Sequence, residues 1–338
     1  MNIKIVNSIE RKSWSDFVNT HPQGNIFQTP EMFEVYSKTK NYEPILLAAL
    51  NKNDEIQAIL LAVVQKEGIG IYGRFTSRAI IIDGPLFLYN DEELEKLLLL
   101  EYEKIVSRKI IYTQIRNSEY SPGLKNLLIN SGYKDEQRLN ILNDLSIGRD
   151  NVIKKIHKGK RGNYSKAKNK GVEFVEIKNV DLIKNSFDQI EQTYKRIGLP
   201  LADLSLFVSA FKILYPVSMI KIFAASYKAQ LIGIRLILTY KGYIYDWYAG
   251  ADDDYKNYYT NDFLLYNILV WGSENGFKSF NFGGAGKPGV PYGVREHKLK
   301  FGGDLIETQR YVKIHKPQLM KTGELGIKLF GYLNGLHK

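Results

Sequence analysis

Two stretches of the chain show the same alternation of short apolar runs with polar turns. Residues 47–61 form two aliphatic runs around a polar turn, and residues 223–236 repeat this pattern with a shorter turn. Short aliphatic and β-branched runs on either side of such a turn predict a β-hairpin. Both stretches follow a segment with helical spacing of its apolar residues, so each half of the chain is expected to place a helix before a hairpin.

A third strand, a helix and a fourth strand are predicted after each hairpin. The third strands are 79–82 and 242–248, the helices 91–107 and 261–275, and the fourth strands 110–115 and 279–282. This repeated order predicts an α+β protein with mixed sheets, built from two units of one kind. The order is similar to that of acetyltransferase-like (GNAT) domains. Because residues 146–150 interrupt the apolar pattern, we place the two domains at 1–147 and 148–316.

Composition narrows the class of protein. The 338 residues suffice for two ordinary domains, and the net charge of +11 favours anionic partners. The absence of cysteine excludes disulfides, thiolate metal sites and thiol nucleophiles. Residues 1–14 lack the apolar core of a signal peptide, and no apolar run approaches the ~18 residues of a membrane-spanning helix. We expect a cytoplasmic protein, either free or peripheral at the inner face of the membrane.

The segment 280–304 carries the strongest chemical signal. It predicts a strand, a glycine-rich loop, a short basic helix and a return strand. Gly283 and Gly284 lack a Cβ atom and so let a ligand approach the backbone closely. The basic helix adds four cationic or titratable side chains: Arg295, His297, Lys298 and Lys300. Such a combination suits an anionic substrate or a developing oxyanion.

A second basic segment predicts a long helix over 152–170, which Gly171 closes. It contains eight lysine and arginine residues in 154–170, interleaved with a histidine and a tyrosine. Lys158, Lys160 and Arg161 are the residues we expect to contact tRNA or phosphate groups. The alternative interpretation is a solvated basic helix face with no partner.

Several motifs, in order along nearly the whole chain, resemble the Fem family of peptidoglycan bridge-forming aminoacyltransferases. The family pattern Asp-Phe-Gly-Gly, followed by Phe-Lys-x-x-Phe-Gly, is similar to residues 281–284 and 297–302. Residues 24–33 and 161–172 resemble two further family segments. The resemblance implies tandem GNAT-like domains that transfer an aminoacyl group from aminoacyl-tRNA to an amine of a peptidoglycan precursor or a related acceptor. It implies no cofactor, no metal and no DNA partner.

The chemistry of aminoacyl transfer suggests roles for individual residues, although His297 departs from the family, which has an aromatic residue at that position. Lys298 would stabilise negative charge at the reacting carbonyl group, and His297 would relay a proton from the attacking amine. The alternatives are a surface lysine and a structural histidine. The expected substrate-binding residues are Gly283, Gly284, Arg295, Lys300, Tyr258 and Tyr259. The two tyrosines would stack on a substrate ring or simply close the core.

Two departures from the expected patterns bear on the alternative functions: one leaves an alternative open, and the other counts against one. The family has an acid where residues 114–117 have none, which favours a non-catalytic tRNA- or glycan-binding homologue. An acyl-CoA-dependent N-acyltransferase on the same fold is the other alternative. It is disfavoured because residues 251–261, where coenzyme A would need a glycine-rich loop, contain no glycine and three consecutive aspartates. The glycines of 284–289 do not indicate a dinucleotide fold, since Pro288 breaks the helix start.

The tail over 317–338 is predicted to be a helix with leucines on one broad face, packed back on the first domain. We expect that truncation after Lys316 exposes core surface and markedly lowers the melting temperature. A truncated protein of unchanged stability that no longer binds anionic liposomes would instead indicate a membrane anchor. Thermal unfolding and liposome sedimentation of both proteins distinguish the two outcomes.

Overall fold

A computed structural model describes residues 3–66, 77–117 and 122–320 of the chain. The strands are β1 (Lys4–Val6), β2 (Tyr42–Leu50), β3 (Ile56–Gln65), β4 (Arg78–Ile82), β5 (Leu86–Phe87), β6 (Tyr112–Asn117), β7 (Lys134–Asp144), β8 (Glu173–Glu176), β9 (Ile220–Tyr227), β10 (Gln230–Tyr240), β11 (Tyr243–Ala251), β12 (Ser279–Gly284) and β13 (Asp304–Ile314). The α-helices are α1 (Arg11–Thr20), α2 (Pro30–Ser37), α3 (Glu92–Val106), α4 (Pro122–Asn130), α5 (Arg149–Lys155), α6 (Lys158–Asn169), α7 (Val180–Asn185), α8 (Phe187–Arg196), α9 (Leu204–Leu214), α10 (Thr260–Glu274) and α11 (Gly293–Leu299).

These elements form two compact units. Unit 1 comprises residues 1–136 and 309–338, and unit 2 comprises residues 137–308. The sequence placed the domains at 1–147 and 148–316 instead. The limits differ because β7 and β13 each continue as one strand across a unit limit, so no turn marks the change of unit in the sequence.

The strands of unit 1 follow the order β1-β2-β3-β4-β6-β13, with β5 paired to β3. All the pairs are antiparallel except β4 and β6, between which the chain crosses over through α3. The runs in β2 and β3 are buried almost throughout, and α3 packs Leu94, Leu98 and Tyr102 into the same core. This burial explains why both strands are nearly continuous apolar runs without polar alternation.

Unit 2 repeats this plan with the strand order β7-β12-β11-β10-β9-β8. Its one parallel pair among the described strands is β11 and β12, connected by α10. The core includes Phe280, Phe282 and Phe301, together with Ile268 and Leu269 of α10. The predicted hairpins, third strands, helices and fourth strands of both halves are confirmed within a few residues.

One helix prediction was wrong. The segment 152–170 is not a single helix, because α5 ends at Lys155 and α6 begins at Lys158. His157 between them is extended with ψ 139°, and its Nδ1 accepts the backbone N–H of Gly159 at 3.1 Å. The backbone N–H of His157 donates to the carbonyl oxygen of Lys300 at 2.9 Å. These two bonds satisfy backbone N–H groups at the break between the helices. Gly171 ends α6 with φ +82°, as predicted.

The predicted tail helix over 317–338 lies mostly outside the described residues. Residues 317–320 are described and are helical. Within the part of the chain that the structure describes, no helix is both long and apolar enough to cross a lipid bilayer.

Helix α8 approaches the sheet of unit 2 so closely that only glycine fits beneath it. A Cβ atom on Gly250 would lie 2.5 Å from the backbone nitrogen of Ile190. The same helix accepts the backbone N–H of Ala251 with Oγ1 of Thr193 at 3.2 Å. The contact therefore fixes the end of β11 against α8.

We expect Gly250→Ala to push α8 off the sheet and to destabilise unit 2 by ~1–3 kcal/mol, the usual cost of overpacking. The matched control is Gly162→Ala in α6, where a Cβ atom would meet nothing within 4 Å. There the substitution should stabilise by ~0.4–1 kcal/mol through the unfolded chain. Equal melting temperatures for the two variants would contradict the close packing of α8.

Candidate active site

The parallel strands of unit 2 separate soon after they begin. β11 and β12 pair at three positions, from Tyr243 with Ser279 to Tyr245 with Asn281. β4 and β6, the equivalent strands of unit 1, pair at five. We call the opening beyond Tyr245 and Asn281 the fork. It lies towards the carboxyl ends of two parallel strands, the place where open sheets of this kind bind ligands.

Lys298 of α11 lies at the fork. Its Nζ donates to the carbonyl oxygens of Phe282 at 2.7 Å and of Gly284 at 3.0 Å. Asp246 follows Tyr245 just as Phe282 follows Asn281, so Asp246 stands across the fork from the lysine. Burial lowers the pKa of the Lys298 ammonium group; the Asp246 carboxylate opposes this shift, and the Arg235 guanidinium adds to it.

Asp246 is itself held by Arg235 of β10. The Nη1 atom of Arg235 donates to both carboxylate oxygens, at 2.7 and 2.6 Å, and both side chains are largely buried. The Nε atom of Arg235 is buried without an acceptor among the described residues. Together with Lys298, this pair gives the fork one net positive charge.

A second buried carboxylate lies at the start of α10. Asp262 is only 6% exposed and accepts hydrogen bonds on both oxygens. Lys160 donates to Oδ1 and Oδ2 at 2.8 and 2.9 Å, and Asn163 donates to Oδ2 at 2.7 Å. Nε2 of His297 is 2.9 Å from Oδ1. We call these four residues the Asp262 cluster.

The Asp262 cluster keeps its carboxylate ionised. Burial raises the pKa of the Asp262 carboxyl group, but the three hydrogen-bonding partners outweigh burial and lower this pKa to about 2. The positive end of α10 acts in the same direction, because Asp262 lies in its first turn. Removing Lys160 would therefore leave a buried, uncompensated negative charge.

A pocket of about 310 Å³ opens in front of α10. Its lining residues are Arg196, Ala251, Asp252, Asp253, Lys256, Tyr259, Thr260, Asn261, Asp262 and His297. Tyr259 precedes α10 with a left-handed φ of 54°, and no side chain caps the helix. Oγ1 of the buried Thr260 has no partner among the described residues. The pocket is thus lined by the start of a helix that no side chain caps.

The equivalent helix of unit 1 begins differently. Asp91 caps α3, because its Oδ1 accepts the backbone N–H groups of Glu93 at 3.0 Å and Leu94 at 3.1 Å. The first turn of α3 also contains three glutamates. A helix start that is capped by its own carboxylate does not attract an anion, and in this respect α3 differs from α10.

The other predicted substrate residues of the glycine-rich segment differ in their placement. Arg295 donates to the carbonyl oxygens of Ala285 (3.4 Å), Lys287 (3.0 Å) and Val290, so it holds the loop together. A Cβ atom at Gly283 or Gly284 would meet no atom within 4 Å, which leaves space beside both glycines for a ligand. Lys300 is exposed.

The predicted tRNA-binding residues are divided between the surface and the interior. Lys158 and Arg161 are exposed, whereas Lys160 is turned inward to Asp262. Tyr258 and Tyr259 lie under lysines of α6 and its cap. Nζ of Lys170 is 5.0 Å from the ring centroid of Tyr258, and Nζ of Lys166 is 5.6 Å from that of Tyr259.

The sequence missed four charged residues: Arg196, Arg235, Asp246 and Asp262. A usable signal existed for Arg235 and Asp246, since a charge inside an apolar strand must find a partner. Asp262 gave none, because an acid in the first turn of a helix is ordinary. No group of three or more potential metal ligands occurs among the described residues.

Comparison with known proteins identifies the fold. Residues 155–298 match the family model described as an acetyltransferase (GNAT) domain. The fold is similar to that of a solved structure of FemX, with 14% identity, a TM-score of 0.71, and coverage of 94% of this chain and 99% of that one. A sequence search of curated proteins returns no match.

Two further solved structures share the fold. The L-PGS structure from Bacillus licheniformis has 15% identity and a TM-score of 0.60, covering 97% of this chain and 99% of that chain. A tandem GNAT protein from the clavulanic acid biosynthesis pathway has 9% identity and a TM-score of 0.60, covering 94% and 100%. The predicted tandem GNAT-like architecture and the Fem-like fold are confirmed, and the match of residues 155–298 to an acetyltransferase domain model agrees with the predicted acyltransferase class.

The Asp262 cluster should contribute to the stability of unit 2. Lys160→Met should destabilise unit 2 by ~3–5 kcal/mol, the usual effect of removing one partner from a buried ion pair. The folded-state pKa of Asp262 is about 2, lowered from 3.8, so the stabilisation is complete above pH 3.8 and is lost as pH falls through 2. The stability gap between wild type and variant should therefore narrow over this range.

The control for this prediction is Lys158→Met, which removes an exposed lysine two residues away. It should change the melting temperature little at any pH. If Lys160→Met and Lys158→Met unfold alike at neutral pH, Lys160 is only part of a solvated face.

Proposed function

We propose that this tandem GNAT-fold acyltransferase moves an aminoacyl group from aminoacyl-tRNA to an amine acceptor, such as that of a peptidoglycan precursor. The observation that carries the proposal is the uncapped start of α10. It opens on a pocket that His297 lines, and α11 carries both His297 and the fork residue Lys298. His297 would take part in proton transfer at the pocket, and Lys298, the next residue of α11, would stabilise the negative charge of the reaction from the fork.

The surroundings of the pocket favour an aminoacyl ester over coenzyme A. A 3₁₀ turn (Asp253–Tyr258) lies between β11 and α10, in place of a glycine-rich phosphate loop. Asp252 and Asp253 line the pocket and would repel a pyrophosphate group. An aminoacyl ester carries an ammonium group that suits the same carboxylates. Arg196, which pairs with Asp253, keeps the mouth of the pocket from being purely acidic.

The reaction needs stabilisation more than strong acid–base catalysis, since an ester is already activated. The acceptor nitrogen forms a bond to the ester carbonyl carbon, and the carbonyl oxygen becomes an oxyanion. The ester C–O bond then breaks, giving an amide and a free ribose hydroxyl group on the tRNA. Lys298 has three N–H donors, and two are bound by Phe282 and Gly284. The third N–H group would donate a hydrogen bond to the oxyanion, and the net positive charge of the fork would stabilise it further.

Exposed cations of α6 provide a surface for the tRNA backbone. Lys158, Arg161, Lys166 and Lys168 are all exposed. Lys160 no longer belongs to this set, because its ammonium group is bound inside unit 2. The remaining cations and the overall charge of +11 suit a polyanion, with binding that weakens as salt rises.

An acyl-CoA-dependent N-acyltransferase is the second candidate, favoured by the match of residues 155–298 to an acetyltransferase domain model. A single assay decides between the two. Labelled aminoacyl-tRNA is offered with a panel of muropeptides, and labelled acetyl-CoA is offered in parallel. Label transferred from aminoacyl-tRNA supports the proposal, whereas transfer only from acetyl-CoA would overturn it.

Lys298→Met should lower kcat by ~100- to 1,000-fold, the usual loss when one preorganised contact to an oxyanion is removed. Lys298 is not the surface lysine that the sequence left as an alternative, because its side chain is half-buried and donates to two carbonyl oxygens. Some loss of stability should therefore accompany the loss of rate, and the melting temperature is measured beside kcat.

Lys300→Met is the matched control, since Lys300 is exposed and lies just beyond the same helix. It should keep most of the activity and all of the stability. Full activity in Lys298→Met, with whichever donor the assay identifies, would place the catalytic centre elsewhere.

A further inference from the structure

His297 and Asp262 form a hydrogen bond whose direction the chemistry decides. An ionised carboxylate can only accept hydrogen bonds, and the Asp262 cluster keeps this one ionised. Nε2 of His297, which lies 2.9 Å from Oδ1, must therefore carry the proton. When the imidazole is neutral, its lone pair is consequently on Nδ1.

The free edge of the ring is placed where a substrate can reach it. His297 lines the pocket and keeps 39% of its side chain exposed. Its ring rests against Phe301 with the centroids 5.4 Å apart, which limits tilting. Nδ1 has no hydrogen-bond partner among the described residues. A fixed ring with one bound nitrogen and one open nitrogen is the arrangement expected of a proton acceptor.

We propose that Asp262 is a positioning residue that holds His297 with Nδ1 unprotonated, so that Nδ1 takes the proton of the attacking amine. The inference rests on the proposed acyl transfer. As the new C–N bond forms, the amine proton moves to Nδ1. As the ester C–O bond breaks, the same proton passes to the departing ribose oxygen, so the histidine ends the cycle neutral.

The charges around His297 suit a proton that is both accepted and returned. Asp262 faces it from α10, and Lys160 from α6 neutralises that carboxylate. Arg196 and Lys256 line the same pocket as cations, and Asp252 and Asp253 line it as anions. Lys160 thus offsets the negative charge of the carboxylate that faces the imidazole ring.

The first test needs no substrate. Long-range ¹H–¹⁵N NMR spectra of the full chain report which ring nitrogen of each histidine is protonated, and His297→Gln assigns one signal among the five histidines. We expect the Nε2–H form in the wild type and a change in Asp262→Asn, whose amide group can donate to Nε2. An Nδ1–H form in the wild type would overturn the inference, even if the Asp262 variant failed to fold.

The second test is the dependence of the transfer rate on pH, with the donor that the panel identifies. The wild type should lose rate at acid pH as Nδ1 becomes protonated. In His297→Gln this limb should disappear, and kcat should fall by ~100- to 10,000-fold, the usual share of general base catalysis. Asp262→Asn should lower kcat more than it changes KM, because the amide keeps the size of a side chain that lines the pocket but alters the tautomer of His297.

Glu176→Gln is the control, since it breaks a partly buried pair with Lys221 elsewhere in unit 2. It should keep the wild-type rate and pH profile. An unchanged profile in His297→Gln, with transfer still running, would overturn the inference alone. If the wild type transfers no group from any donor, the proposed function is overturned. The NMR spectra then still show which ring nitrogen of His297 is protonated.

Discussion

The arrangement of unit 2 around its pocket depends on one buried carboxylate. An ionised group removed from water costs several kcal/mol unless it is paired and fully hydrogen-bonded. Asp262 meets this requirement by drawing Lys160 and Asn163 from α6 and His297 from α11. Three helices that are distant in sequence are thereby fixed at one point. Lys298, the residue after His297, is held at the fork as a consequence.

The two units show how one plan can be specialised by the ends of its elements. Both contain a hairpin, a third strand, a crossover helix and a parallel fourth strand. In unit 1 the crossover helix is capped by Asp91, and the parallel strands stay paired for longer. In unit 2 the cap is missing and the strands separate early. The order of elements is therefore the same in both units, whereas the start of the crossover helix and the length of the parallel pairing differ.

The sequence predicted what periodicity controls and failed where partners are distant. The hairpins and crossover helices follow from local apolar spacing, so both copies were predicted almost to their ends. In the sequence Lys160 resembles the other basic residues of its segment. Only the fold reveals that its partner is Asp262, which lies 102 positions further along the chain. Arg295 likewise looked available for substrate, because the inward-facing carbonyl oxygens of the glycine-rich loop leave no trace in the sequence. His157 breaks the predicted basic helix through a bond to Lys300, a contact equally invisible locally.

We infer that the pocket before α10 holds the donor end of the proposed acyl transfer. A crystal structure of the full chain with a 3′-aminoacylamino analogue of adenosine, the stable amide mimic of the aminoacyl-tRNA terminus, would show where this end binds. We expect the analogue in this pocket, with its aminoacyl group beside His297 and its carbonyl oxygen towards Lys298. An analogue bound outside the pocket, or a pocket that takes acetyl-CoA and excludes the analogue, would overturn this inference.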